Sequence, residues 1–200
     1  MRTFFQEYHF KRKFAHFSFG IFLVVLMNSG LNQIFMLHFL VLTIIIGLIL
    51  SIFIKYKKPK LLVYLLEQFE KPQDVKNFPG RGSIYFTIGA LVSIALFSKE
   101  IASASILILT FGDPAAFIVG KYYGKKKLIV NKNKLLEGTI AGTFIGTALA
   151  TLFVPFPIAF FGAAFGMMAE AIELKYLHFD DNFFIPFVSG LVMTLLTSLL

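Results

Sequence analysis

An acid, Asp113, stands inside an otherwise apolar stretch, and glycine-spaced lysines follow it at once in Phe111-Gly-Asp-Pro-Ala-Ala-Phe-Ile-Val-Gly-Lys-Tyr-Tyr-Gly-Lys-Lys-Lys127. A carboxylate at membrane depth is costly and is kept where something pairs or uses it. Lysines beside glycines, whose backbone admits close approach, suit an anionic ligand, and a triphosphate is the commonest. Asp113 has two readings. One is an ion pair with a neighbouring lysine; the other is a magnesium ligand or a general base toward an alcohol. Gly112 and Gly120 permit close approach on either side, which favours the second.

Other polar groups share its setting. Arg12 and His16 are one helical turn apart, on one face at the start of an apolar run. Anchoring explains Lys11 or Lys13 alone, whereas His16 is a titratable group entering an apolar helix. Glu137-Gly138-Thr139 opens a later run, where an acid near a helix N-terminus is favourable on dipole grounds alone. Glu170 and Glu173, at i and i+3, close the next run on one face and ask for a cation, either lysine or metal. Asp180-Asp181-Asn182 follows, and one of the three is expected to cap the last helix.

The elements that must carry these groups are membrane helices. Of 200 residues, 57% are hydrophobic, above the 45–50% typical of soluble domains. Apolar runs read as about seven spans, near 14–31, 34–54, 82–98, 101–119, 138–154, 157–174 and 183–200. Several are short, which implies tilted, broken or re-entrant helices. Residues 61–69 are too short to span and are expected at the interface. The runs are continuous rather than alternating, which excludes a β-barrel. The expectation is an all-α polytopic transmembrane bundle forming one domain over residues 1–200, with no room for a separate soluble domain.

Charge orients it. Eighteen of the 19 Lys and Arg fall on one side of this layout, with only Lys99 opposite. That bias predicts a cytoplasmic N-terminus and, with seven spans, an external C-terminus. The net charge of +8 therefore suits the cytoplasmic membrane face rather than nucleic acid. With no cysteine, disulfides, thiol catalysis and thiolate metal sites are excluded. The loop from Lys121 to Lys134 lacks a P-loop pattern, and protein-kinase signatures are missing. Gly138, Gly142 and Gly146, like Gly162 and Gly166, repeat every fourth residue and read as helix-packing positions. Pro114, which follows Asp113, is expected to loosen the helix, and Pro155 and Pro157 to make an external turn.

In this order the motifs resemble the CTP-dependent polyprenol and lipid kinases: dolichol kinase, phytol and farnesol kinases, and the yeast-type diacylglycerol kinase. The resemblance covers nearly the whole chain. It rests on Arg12-Lys13-x-x-His16, Gly112-Asp113-x-x-Ala116-x-x-x-Gly120-x-x-x-Gly124-Lys125, Lys134-x-x-Glu137-Gly138-Thr139-x-Ala141-Gly142, Glu170-Ala171, and Asp180-Asp181-Asn182-x-x-x-Pro186. The family commonly has serine where Leu135 or Thr139 stands. The resemblance implies transfer of the γ-phosphoryl group of CTP to the hydroxyl of a polyprenol, isoprenoid alcohol or diacylglycerol. It implies catalytic roles for Asp113, Glu137 and His16. Nucleotide contacts are implied at Arg12, Lys13, Gly120, Gly124, Lys125, Lys134, Gly138 and Thr139. Asp113, Glu137, Glu170, Asp180 and Asp181 are the implied Mg²⁺ ligands. The site would lie on the cytoplasmic face of a multi-pass cell-membrane protein, the lipid's tail staying in the bilayer.

Two rivals differ in class. A phosphatidate cytidylyltransferase also uses CTP and magnesium at the membrane, but its expected signature residues are missing here. A transporter or scaffold would carry its polar groups at the bilayer midplane and show repeat symmetry, whereas these groups gather at one interface.

Overall fold

The computed structural model describes residues 2–70, 72–128, 131, 134–171 and 180–199. Among them the protein is all-helical, with one isolated antiparallel bridge between Lys127 and Leu135. Helix α1 (Arg2–Asn28) and α2 (Gln33–Lys57) are followed by two short helices, α3 (Lys60–Glu67) and α4 (Pro72–Asn77). Then come α5 (Arg81–Leu96) and α6 (Lys99–Leu107), a π-helical turn (Ile108–Gly112), and α7 (Asp113–Tyr123). Helices α8 (Leu136–Ala150), α9 (Phe156–Ala171) and α10 (Asp181–Leu199) complete the chain.

Each of the seven apolar runs is a helix, and the 61–69 segment contains the short α3. Among the described residues three helices are long and apolar enough to cross a membrane: Gln33–Lys57, Lys99–Tyr123 and Asp181–Leu199. Arg81–Leu96, Leu136–Ala150 and Phe156–Glu170 are apolar but shorter. The three long apolar helices are those expected of a membrane protein.

The continuous helix 99–123 is the axis, with α1, α8, α9 and α10 packed around it. Helix α1 runs antiparallel to it in a register fixed at three heights. Lys13 pairs with Asp113, Gly20 leaves room for the Thr110 side chain, and Asn28 donates to Ser103 Oγ at 3.2 Å. Lys13 and Gly20 are seven residues apart, hence on one face, so the close approach at Gly20 delivers Lys13 to the acid.

Pro114 was expected to loosen the helix, and an irregularity does lie beside it, just before Asp113. The π turn occupies Ile108–Gly112, and Pro114 sits in the first turn of α7. There its missing N–H and bulky ring would disturb the preceding turn, and a π turn absorbs that.

The glycine stripes do pack. A Cβ on Gly138 would come within 2.5 Å of the Ala116 carbonyl, and one on Gly142 within 2.8 Å of the Gly112 carbonyl. Helix α8 therefore lies backbone to backbone on the π turn and α7, and carries its first turn against Gly120. After a turn at 151–154, Pro155 precedes α9, whose second residue is Pro157. The N-terminal ends of α5, α8 and α10 meet the C-terminal ends of α7 and α9 at one end of the bundle.

Candidate functional site

At that end three carboxylates converge. Asp113 begins α7, Glu170 ends α9 and Asp181 begins α10, and one oxygen of each lies within 4.8 Å of the others. Asp113 and Glu170 are buried; Asp181 is partly exposed. Such acids separated by so little need compensating charge. Lys13 pairs with Asp113, and Lys134 pairs with Glu170 and lies 3.7 Å from Asp181. Burial works against the Lys134 ammonium, but Glu170, Asp181 and Asp113 outweigh it and raise Lys134 above the ordinary lysine value.

These groups line a cavity of about 440 Å³. Arg12 and Lys13 form its α1 wall, and Ala116, Phe117, Gly120 and Lys121 its α7 wall. Leu135, Gly138 and Thr139 close it from the start of α8. Lys13 and Lys121 each sit 5.8 Å from the Phe117 ring centre. The first turns of α8 and α10 both reach the cavity, adding the positive ends of two helix dipoles. Four cations and two helix N-termini around three acids make a site for a polyanion carrying a hard divalent cation.

The donor set fits magnesium. All three groups offer carboxylate oxygen, the ligand type Mg²⁺ takes together with substrate phosphates. Asp113 also keeps a buried Oδ1 with no hydrogen-bond partner.

The loop from Gly124 to Leu135 brings Lys134 back to Gly120. It is closed by Leu136 N–H donating to the Lys126 carbonyl at 2.8 Å and Leu128 N–H donating to the Lys134 carbonyl at 3.0 Å. Glu137 belongs to this closure: its carboxylate oxygens accept from the Lys126 N–H at 3.1 and 3.2 Å.

Of the residues anticipated from sequence, Arg12, Lys13, Asp113, Gly120, Lys134, Gly138, Thr139, Glu170 and Asp181 therefore face one cavity. Five others lie outside its lining. Glu137 is on the loop side, near Gly124 and Lys125. His16 is buried one turn deeper than Arg12, its ring 5.3 Å from that of Phe86. Asp180 caps α10, its Oδ1 accepting from the Asn182 N–H at 3.2 Å, with Arg81 Nε 3.7 Å from its Oδ2. Burial, then the adjoining Asp181 carboxylate, pushes Asp180 up to about 8. Glu173 lies outside the described residues.

Three lining residues, Ala116, Phe117 and Leu135, were not singled out as contacts in the sequence, although the first two stand between Gly112 and Gly120. A further buried acid, Glu70, gave no signal there at all. It is 2% exposed in the link between α3 and α4, and Gly82 and Ser83 N–H groups donate to it. Burial pushes its carboxyl up, and Arg12 is the charge that most opposes this.

The chain is similar to the CTP-dependent diacylglycerol kinase 1 of Saccharomyces cerevisiae, 25% identical over 95% of this chain and 74% of that protein. An uncharacterized protein of Methanocaldococcus jannaschii is 30% identical over 77% of each chain. A probable chloroplastic phytol kinase 2 of Oryza sativa is 31% identical over 58% of this chain, which spans 43% of that relative. No family model matches the chain, and no solved structure matches it.

Proposed function

Because the chain belongs to the CTP-dependent polyprenol and lipid kinase family, we propose that it transfers the γ-phosphoryl group of CTP to the hydroxyl of a membrane lipid alcohol. The observation that carries this reading is the meeting of Asp113, Glu170 and Asp181 with Arg12, Lys13 and Lys134 at one cavity. Phosphoryl transfer demands charge neutralisation and in-line positioning more than covalent chemistry, and the gathered cations and acids support the first.

Asp113, Glu170 and Asp181 would hold Mg²⁺, which when bound neutralises charge on the phosphates. Lys13 and Lys134 bind the phosphate oxygens as they turn from the carboxylates that balance them, and Arg12 joins them from the α1 wall. The first-turn N–H groups of α8 add donors beside Gly138 and Thr139. The alcohol oxygen forms a bond to the γ-phosphorus, the bridge to the β-phosphate breaks, and CDP leaves. Asp113 Oδ1, buried and without a partner, can accept the hydroxyl proton or help to ligate the cation.

In the bilayer the chain would be one seven-span domain with its N-terminus and site cytoplasmic and its C-terminus outside. The charge bias and the gathering of polar groups at one end support this. Helices α5, α8 and α9, at 16, 15 and 16 residues, fall short of the roughly 20 needed to cross a typical bilayer, so the membrane thins around them or flanking residues snorkel to the interface.

The test is purified protein in mixed micelles with Mg²⁺, a panel of lipid alcohols, and CTP labelled at either the α or the γ position. Label in the lipid from γ-labelled CTP alone is expected. Label from the α position would make the protein a cytidylyltransferase instead. Equal labelling from γ-labelled ATP would overturn the choice of donor and leave the kinase reading intact.

A further inference from the structure

The helices around the cavity form a palisade that is closed on every side but one. Helix α7 packs on α8, α8 on α9, α9 on α10 and α10 on α5. Helix α5 reaches α1 through Phe86, whose ring centre lies 5.3 Å from that of His16 and 5.6 Å from that of Phe19. Between α1 and α7 the palisade stays open: among the described residues these two helices do not pack closely on each other. Lys13 bridges the interval, paired with Asp113 and 5.8 Å from the Phe117 ring centre.

The two flanks of this gap differ. Because α1 and α7 run antiparallel, the residue after each inward-facing one turns to the same flank. These are Phe14, after Lys13, and Ile118, after Phe117, and they are 60% and 44% exposed. Arg12 and His16 turn to the other flank, where α5 stands, and both are buried. One turn deeper than the Lys13–Asp113 pair, Phe17 and Phe111 meet edge to face with ring centres 4.7 Å apart, both only partly buried. The open flank is therefore an apolar doorway with Phe17 and Phe111 as its sill. Just inside it stands Asp113, whose buried Oδ1 has no hydrogen-bond partner.

We infer that the acceptor alcohol binds in the gap between α1 and α7, its hydroxyl at Asp113, its first carbons on the Phe17–Phe111 sill and its tail outside in the lipid. The inference rests on the kinase reading and assigns that reaction's acceptor subsite. The cavity, at about 440 Å³, is of a size for one small ligand, and the nucleotide takes it, so a long hydrocarbon must leave. Elsewhere around the palisade it would have to part helices in contact, and at Gly120 and Gly138 these lie backbone to backbone. At the gap it meets aromatic and aliphatic side chains, which suit the uncharged body of an amphiphile. Phe17 and Phe111 are then specificity-determining for the acceptor and have no part in holding the nucleotide.

Steady-state kinetics of the purified full-length protein in mixed micelles test it, with farnesol or a short-chain diacylglycerol as acceptor, whichever the wild type phosphorylates faster. Phe17→Ala removes one ring of the sill. It is expected to raise the KM for the alcohol about tenfold, the worth of one good aromatic contact, and to leave the KM for CTP unchanged. Ile118→Trp narrows the doorway from an exposed position and should lower kcat/KM for the alcohol without weakening CTP binding. It carries the kinetic test if Phe17→Ala fails to fold. An analogue of the same alcohol with a diazirine near its hydroxyl should label Phe14, Phe17 or Ile118, and excess unmodified alcohol should suppress that label. Competed labelling confined to α2, α5 or α9, or wild-type acceptor kinetics in both variants, overturns the subsite while the kinase reading stands. Wild-type protein that phosphorylates neither alcohol removes both.

Discussion

Helix α2 and the helix 99–123 are both 25 residues long, and the more apolar of the two is the one left outside. Only 17% of the spanning part of α2 is buried, against 78% of the other. In water the order would be reversed. In a bilayer the lipid is as apolar as leucine, so burying Ile, Leu or Phe against protein brings no hydrophobic gain. What selects the inner helix is small and polar side chains that let backbones meet. Residues 99–123 contain Ala102, Ser103, Ala104, Ser105, Gly112, Ala115, Ala116 and Gly120, all buried. Helix α2 shows Ile45, Ile46, Ile49, Ile52 and Phe53 to its surroundings. One helix carries the chemistry and the other borders it.

The comparison breaks most readily at Asp113. Asp113→Asn preserves volume and removes the charge that Lys13 balances. Turnover should fall by about 10²–10⁴-fold, the usual cost of losing a metal contact or catalytic base. Near-normal turnover at saturating Mg²⁺ and CTP would reduce Asp113 to an ion-pair residue. Next in size is Lys134→Met, which takes away the cation shared by Glu170 and Asp181. A loss of about 10- to 100-fold in kcat/KM for CTP is expected, the worth of a hydrogen bond to a charged group. Steady-state kinetics at fixed lipid would read it.

Packing comes third. Gly142→Ala would drive a methyl to 2.6 Å from Met167 Cε and 2.8 Å from the Gly112 carbonyl, and backbone cannot yield as a side chain can. Destabilisation of about 1–3 kcal/mol, read by denaturant titration in micelles, is expected for such overpacking. The smallest effect belongs to α2. Ile49 is 60% exposed, and Ile49→Ala should change stability by no more than about 0.5 kcal/mol, because lipid replaces what is lost. A loss as large as that of Gly142→Ala would mean that α2 faces protein, and the contrast would fail.

Much of this was legible in the sequence, and the illegible remainder has physical causes. The apolar runs located every long helix because continuous hydropathy survives any tertiary arrangement. Asp113 announced itself because a lone acid in an apolar run has few uses. The glycine stripes announced packing, and the run Asp180-Asp181-Asn182 announced a cap, which Asp180 supplies. Which run lay inside was hidden, since apolarity points to lipid as readily as to a core. Glu137 was read as a ligand from its place beside Gly138 and Thr139. A helix of 3.6 residues per turn, however, turns adjacent residues about 100° apart, and Glu137 faces the loop. His16 shares a face with Arg12, but one turn deeper that face meets Phe86 rather than the cavity. Glu70 was invisible because nothing in the sequence marks that the first turn of α5 folds back onto it.

The central claim is that Asp113, Glu170 and Asp181 together hold the divalent cation that accompanies CTP. Manganese, as a spectroscopic stand-in for magnesium, tests it most directly through electron paramagnetic resonance of the purified protein with CTP. Wild-type protein should bind one Mn²⁺ per chain, and Asp113→Asn and Glu170→Gln should each weaken that binding by at least about tenfold, as loss of one carboxylate ligand requires. Undiminished Mn²⁺ binding in both variants would contradict the account and send the search for the cation's ligands elsewhere in the chain.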